Sequence, residues 1–263
     1  MNIIELSNKI ISNSEIYAEI LSATSTLLKY SKNAIEHRKY LNNRILPSTQ
    51  KDFNFGYFPP NENINELLEY VNKDKLKQLD ILYDKRIDDN GIDKYIPATV
   101  FNNHNIILPY KNNYGDIIAI VGRTLLSSEE QAINKISKYK NTSFQKGLHL
   151  FGLNKAKYSI VEKNHVIIVE GQFDCISCHI KGFKNVVAVG SANLSKYQFY
   201  LLKRYTNNIY VLFDNDNAGN IGAEKVISRF GRNANIRKIV LPDNYKDVDE
   251  FLNGETDYNA LEF

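Results

Sequence analysis

Two aspartates separated by one residue, Asp214 and Asp216, follow an apolar run in "VLFDNDNAG". On extended backbone, side chains two positions apart point the same way, so the pair makes one concentrated negative site at a strand's end. Such a site is costly unless a cation answers it. Glu170 closes a second apolar run, "VIIV", and Asp174 follows four residues later, one helical turn away and able to face the same pocket. Asp247 and Asp249 repeat the spacing of two in "LPDNYKDVDEFL". Carboxylates are the hard oxygen ligands that Mg²⁺ or Mn²⁺ prefers, and Mg²⁺ sites use few of them, leaving positions for water and substrate phosphates. Gathered at one sheet end, the three stations predict a divalent-cation site of about one to three ions serving phosphoryl transfer.

The elements that must carry these residues have a clear rhythm in the second half. "HVIIVEG", "NVVAVG", "NIYVLFDND" and "IRKIVLP" read as short strands, and "QFDCISCHIKGF", "SKYQFYLLKRY" and "AGNIGAEKVISRF" between them read as helices. Alternation at this spacing predicts βαβ units and a mainly parallel sheet, whose ligands gather at the carboxyl ends of its strands. In the first half, residues 1 to about 45 read as helical and "PSTQKDFNFGYFPPNEN" as turn-rich. "INELLEYVNKDKLKQLDIL" returns to helix, and "NIILPYKNNYGDIIAIVGRTL" reads as a hairpin. The fold class is therefore α/β, an α+β N-terminal part (1–160) followed by an α/β part with a mainly parallel sheet (161–263).

At 263 residues the chain can bury one large core or two modest ones, and 43% hydrophobic with 24% charged residues excludes a disordered tail or a fibre. No stretch is apolar for the roughly 18 residues a spanning helix needs, so the expectation is a cytoplasmic protein with no membrane partner. Lys plus Arg exceed Asp plus Glu by only 33 − 30 = 3, but their distribution is uneven. Lys135 to Lys163 holds seven lysines against Glu162 alone, whereas Asp243 to Glu262 holds seven acids against Lys246 alone. A basic segment beside carboxylate clusters suits a polyanion held over metal ions.

Cys175 and Cys178 form the only C-x-x-C, and both fall on a helical stretch. Zinc wants about four ligands, and His37, His104, His149, His165 and His179 show no ligand spacing, so no zinc site is expected. "SKYQFYLLKRY" mixes aromatics and bases in a way that could stack nucleobases, but its apolar positions fall at helical spacing and favour packing against the sheet.

"VIIVEGQFD", "VVAVGSANLS" and "VLFDNDNAG" resemble, in order and spacing, the E-G-x-x-D, G-[ST]-A-x-x-[ST] and D-x-D-x-A-G stations of the TOPRIM domain. Upstream, "YLNNRILPSTQKDFNFGYFPP", "IILPYKNNYGDIIAIVGRTL" and "KYKNTSFQKGLHLFGLNKAK" are similar to successive motifs of DnaG-type primases, and "LPDNYKDVDEFL" to their last acidic motif. The resemblance covers roughly residues 28 to 253 in one collinear order. It implies a DNA primase core that makes short RNA primers on single-stranded DNA, with Mg²⁺ or Mn²⁺ and nucleoside triphosphates. Carried over, Glu170, Asp214 and Asp216 take the catalytic positions, and with Asp174, Asp247 and Asp249 they match the metal-site acids. Arg123, Lys138, Asn141 and Lys146 match residues lining the template and nucleotide groove.

There are departures. Family members carry a zinc-binding domain before this core and a helicase-binding domain after it, neither of which is expected within these residues, and Asn105 stands where the family often has Arg. A replicative helicase or a separate zinc-bearing protein that selects the template is therefore an expected partner, in a bacterial or phage-infected cell. Two other readings stand beside the primase: a TOPRIM-type metal-dependent nuclease, and a non-catalytic single-stranded-DNA-binding module of the replisome.

Overall fold

The chain begins with a 28-residue helix, α1 (Ile3–Tyr30), because its apolar residues recur at helical spacing: Ile16, Ile20, Ala23 and Leu27 form one stripe, flanked by Tyr17, Leu21 and Leu28, and all are buried. The computed structural model describes residues 3–89, 92–254 and 261. It divides into two units, residues 1–110 with 117–144 and residues 111–116 with 145–263. No helix among the described residues is long and apolar enough to cross a membrane.

In the first unit the helical stretch expected up to residue 45 is two helices. Ser31 is extended, its hydroxyl accepts the Asn33 N–H at 3.0 Å, and α2 (Ile35–Arg44) follows. Arg38 of α2 donates through Nη1 to the Leu28 and Ser31 carbonyls, 2.8 Å each, tying the second helix to the end of the first. Leu46 precedes a proline and leaves the helical region, and Pro47 then starts α3 (Pro47–Asp52), where its missing N–H costs nothing. The stretch read as turn-rich thus opens with a short helix. It continues into a two-residue strand, β1 (Gly56–Tyr57). The next helical stretch splits into α4 (Asn65–Leu68) and α5 (Lys73–Gln78), the second capped by Asn72 accepting the Asp74 N–H at 2.7 Å.

Strands β2 (Leu82–Asp89) and β3 (Ile92–Thr99) form an antiparallel ribbon that the sequence did not announce, because charged residues such as Asp84, Lys85 and Lys94 leave no apolar face to alternate. Asn90 and Gly91, between the two strands in sequence, lie outside the described residues. The hairpin around "KNNYGD" is present as β4 (Ile106–Lys111) and β5 (Ile117–Arg123). Asn112 Oδ1 accepts the N–H groups of Tyr114, Gly115 and Asp116 at 2.9, 2.9 and 3.0 Å, which closes the turn. After α6 (Ser128–Asn134), begun by a Ser127–Glu130 capping box, β6 (Tyr139–Asn141) completes a sheet of order β1-β4-β5-β6.

The second unit holds the mainly parallel sheet that the strand–helix rhythm predicts. Helix α7 (Leu153–Lys163) leads into β7 (Val166–Val169), α8 (Gln172–Ile180), β8 (Val186–Ala188), α9 (Lys196–Leu202), β9 (Asn208–Val211), α10 (Asn217–Phe230), β10 (Asn235–Lys238) and α11 (Val248–Gly254). The four strands are parallel in the order β10-β9-β7-β8. Both β7 and β8 are wholly buried, as strands covered on both faces must be. Val166 and Ile168 of β7 join Leu153, Ile160, Phe199 and Phe230 in one core, which puts α7, α9 and α10 on one face. Leu153, Ala156 and Ile160 belong to that core, so α7 packs with the second unit, which takes up the chain again at Gln145.

Candidate functional site

Strand order decides where a ligand can sit. From β7 the chain turns through α8 to β8 on one side, and from β9 it turns through α10 to β10 on the other. The neighbouring strands β7 and β9 therefore flank a topological switch point, and the crevice outside their carboxyl ends is where open α/β sheets bind. Glu170 follows β7, and Asp214 and Asp216 follow β9. The Asp214 N–H donates to Glu170 Oε1 at 3.2 Å, joining the two stations directly.

Each remaining acid is held by its element. Asp174, in the first turn of α8, accepts the Gly171 N–H at 2.9 Å. Asp216 caps α10 by accepting the Gly219 N–H at 2.8 Å, and Asp247 accepts the Glu250 N–H at 2.8 Å at the start of α11. Asp249 is 6% exposed, and its Oδ1 accepts from the Ser177 hydroxyl and, at 3.1 Å, from Asn253. The motif's glycine has a steric reason: a Cβ on Gly219 would collide with the Asp214 carbonyl and lie 2.9 Å from Glu170 Oε1. The turn after the paired aspartates must therefore run so close to them that only Gly fits.

Crowded carboxylates resist ionisation. Burial, followed by the charge of Asp214 and then of Asp216, pushes Glu170 up to about 7. Burial, followed by the charges of Asp247, Asp214 and Asp249, pushes Asp174 up to about 7. These mutual repulsions bring all six sequence-predicted acids into one electrostatic neighbourhood. Among the described residues no group of three or more His, Cys, Asp or Glu side chains closes into a ready-made metal cage. An all-carboxylate donor set that repels itself fits a hard divalent cation in an open site, completed by water or phosphate oxygens.

The basic candidates divide between the units. In the first unit Arg123, at the end of β5, is buried; its Nη1 donates to the Tyr139 hydroxyl at 2.7 Å, and its guanidinium lies 5.5 Å from the ring centroids of both Tyr40 and Tyr139. Lys138 is exposed, its Nζ 5.8 Å from the Tyr139 ring. Asn141 presents a buried Oδ1 without a hydrogen-bond partner among the described residues. Lys146 lies in the second unit. Its ammonium donates to the Gly190 carbonyl, and the Gly190 N–H donates to the Glu170 carbonyl at 2.8 Å. Burial lowers the Lys146 pKa.

Two residues that carry the geometry escaped the sequence reading. Asn215, between the paired aspartates, donates its backbone N–H to the Lys246 carbonyl at 2.6 Å and its amide to the Tyr245 carbonyl at 3.2 Å, fastening the loop that carries Asp247. Tyr40 stacks on Arg123; its only sequence signal is its place in "YLNNR". Cys175 and Cys178 are buried free thiols, and burial pushes both pKa values up, which leaves them inert.

A four-stranded parallel sheet with acids at its switch point defines a Toprim-type α/β unit, and residues 167–252 match the family described as Toprim-like. Toprim domains of primases are generally metal-binding. Residues 24–157, just over half of the chain, match the family described as DNA primase catalytic core, N-terminal domain, and the chain belongs to that family. It is 29% identical over 230 residues to the DNA primase of Aquifex aeolicus, covering 85% of this chain and 44% of that protein. It is 30% identical over 261 residues to the DNA primase of Clostridium acetobutylicum, covering 95% of this chain and 41% of that protein. The chain thus spans less than half the length of these relatives. Among solved structures, the zinc-binding and RNA polymerase domains of the Aquifex aeolicus primase match with a TM-score of 0.74 at 27% identity, over 92% of this chain and 58% of that one. A DnaG primase catalytic domain bound to single-stranded DNA shares the fold, with a TM-score of 0.75 at 23% identity over 97% of this chain and 81% of that one.

Proposed function

We propose that the chain is a primase catalytic core, which makes short RNA primers on a single-stranded DNA template from nucleoside triphosphates. The observation that carries this reading is the joining of Glu170 to Asp214 at the sheet's switch point, within a chain of the primase core family. In this reading Glu170, Asp214 and Asp216 hold Mg²⁺ or Mn²⁺, with Asp174 and Asp247 beside them, while Asp249 supports α11 against α8 through Ser177. The bound ion would supply charge neutralisation at the triphosphate and activation of the attacking 3′-hydroxyl.

The protein's own groups divide the remaining work. Glu170, raised to about 7 by burial and by its acidic neighbours while no cation is bound, is held in its charged form once the ion neutralises that repulsion. Lys146, held beside the Glu170 strand end by Gly190, offers an ammonium to a phosphate oxygen. In the first unit Lys138 contacts template phosphates, and the positive charge of Arg123, held between the Tyr40 and Tyr139 rings, draws template or nucleotide towards them. The buried Oδ1 of Asn141 seeks a donor that a nucleotide can provide. A helicase or a separate zinc-bearing protein would direct template choice.

The test is primer synthesis on mixed-sequence single-stranded DNA with four nucleoside triphosphates and Mg²⁺ or Mn²⁺, run beside a lane without nucleotides. Oligoribonucleotides that disappear with Asp216→Asn support the primase reading. Template cleavage without nucleotides replaces it with a nuclease.

A further inference from the structure

The aromatic and basic stretch from Ser195 to Tyr205 satisfies both of its sequence readings at once, on opposite faces. Gln198, Phe199 and Leu202 of α9 are buried in the core, whereas Lys196, Tyr197, Tyr200 and Arg204 point outward. Tyr197 is 68% and Tyr200 53% exposed, too much for residues whose task is packing. Lys196, Tyr200 and Arg204 recur every fourth residue, and the Lys196 ammonium lies 6.0 Å from the Tyr200 ring centroid.

The C-terminal half of α10 continues this surface. Phe199 stacks on Phe230 with centroids 4.2 Å apart and planes 9° from parallel, and Lys203 Nζ donates to the Asn233 carbonyl at 2.7 Å, so the two helices lie side by side. Lys225 and Arg229 are exposed there, and the Arg229 guanidinium lies 5.0 Å from the Phe230 ring centroid. A groove of about 240 Å³ runs between Asn193 and Leu194, ahead of α9, and Lys225, Ser228 and Arg229 of α10. The chain holds no acid from Asn193 to Phe213, and the second half of α10 adds bases with Glu224 as its one exposed acid. Among the described residues Lys196, Arg204, Lys225 and Arg229 join no ion pair with an acid.

We propose that this α9–α10 face binds single-stranded nucleic acid, separately from the carboxylate site. Asp216 and Arg229 stand at opposite ends of α10, roughly 20 Å apart along the helix axis, too far for one phosphate to serve both. Uncompensated bases select a polyanion, and two exposed tyrosines flanked by those bases select one with flat faces to stack. An acidic peptide would use the charges and leave Tyr197 and Tyr200 unexplained. The surface does not depend on the primase reading, since binding can be measured without metal or nucleotides; a chain that makes no primers can still pass.

The measurement is fluorescence anisotropy of labelled oligothymidylate and oligouridylate, about 20 nucleotides each so as to exceed the span of one such binding face, across a salt series. Thermal unfolding of every variant is the folding control. Lys225→Ala with Arg229→Ala should lower the slope of log affinity against log salt by about 1.4, at about 0.7 for each phosphate left unneutralised on a single strand. Tyr197→Ser with Tyr200→Ser should weaken binding by at least about thirtyfold, at about 1 kcal/mol or more for each lost stack, and leave that slope unchanged. Preference for the ribo- or the deoxyribo-oligomer then tells whether product or template occupies the face. Wild-type affinity and slope in both variants overturn the proposal, as does loss confined to polyglutamate binding, which assigns the face to an acidic protein.

Discussion

The Lys146 ammonium donates to the carbonyl of Gly190, and Gly190 sits at φ +83°. A Cβ at position 190 would collide with Lys146 Cε, so the glycine answers both a left-handed backbone and a close approach. Gly190→Ala should destabilise the chain by about 2 kcal/mol in urea unfolding, most of it from the left-handed backbone, because the end of the Lys146 side chain can swing aside at small cost. Lys146→Ala in the same background should recover part of that cost because the collision disappears. Strictly additive costs in the double-mutant cycle would separate the two residues.

Gly219→Ala places its methyl against the Asp214 carbonyl and Glu170 Oε1. The turn must shift, and both carboxylate stations shift with it. Mg²⁺ should raise the thermal midpoint of the wild-type chain and leave that of Gly219→Ala unchanged, since a ligand stabilises only the state it binds. An equal Mg²⁺ shift in both proteins would detach Gly219 from the cation site.

Asp214→Asn and Asp249→Asn should fail in different ways. Asp214 faces Glu170 at the switch point, and its loss should lower primer synthesis by more than about a hundredfold, the upper end for groups that only support metal ligands, with little change in stability. Asp249 is buried against Ser177 and Asn253, so its replacement should cost about 1–3 kcal/mol of folding free energy. Its synthesis should fall only as far as the folded fraction does. Full stability with abolished synthesis in Asp249→Asn would make it a ligand instead.

His179 is buried on α8, with Nε2 2.9 Å from the Val186 carbonyl, and burial lowers its pKa from 6.5 to about 4. The unfolded chain therefore takes up a proton near pH 6.5 that the folded chain refuses until about pH 4. The contribution is fully present above pH 6.5 and is lost as pH falls through that window, by up to about 1.4 kcal/mol per pH unit. Glu170 and Asp174, raised to about 7, act with the opposite sign, losing stability as pH rises from the ordinary carboxylate range. The comparison is thus the stability difference between wild type and His179→Gln, which should change in favour of the variant by up to about 1.4 kcal/mol per unit as pH falls from 6.5 to 4; parallel curves would remove His179 as the cause.

Much of the second unit was legible in the chain because its signals are local. Three short apolar runs became β7 to β9 and each acid station kept its place at an element's end, whereas of "IRKIVLP" only the polar start entered β10 (Asn235–Lys238), a half-exposed edge strand. The "KNNYGD" hairpin was equally local. The β2–β3 ribbon escaped because exposed strands carry charge on both faces. The acids of the terminal acidic stretch at Glu255, Asp257 and Glu262 lie outside the described residues.

The tertiary structure decided what the acids do to one another. Only the order β10-β9-β7-β8 sets Glu170 beside Asp214, 44 residues away, and only α11 packing on α8 buries Asp249 against Ser177, 72 residues away. Lys146 likewise found Gly190 through the second unit's sheet and not in the basic stretch where its sequence neighbours lie. Periodicity and spacing report what a residue's own element needs. Strand order and packing between distant segments have no local signature, because the hydrogen bonds and buried surfaces that select them exist only once the chain has closed on itself.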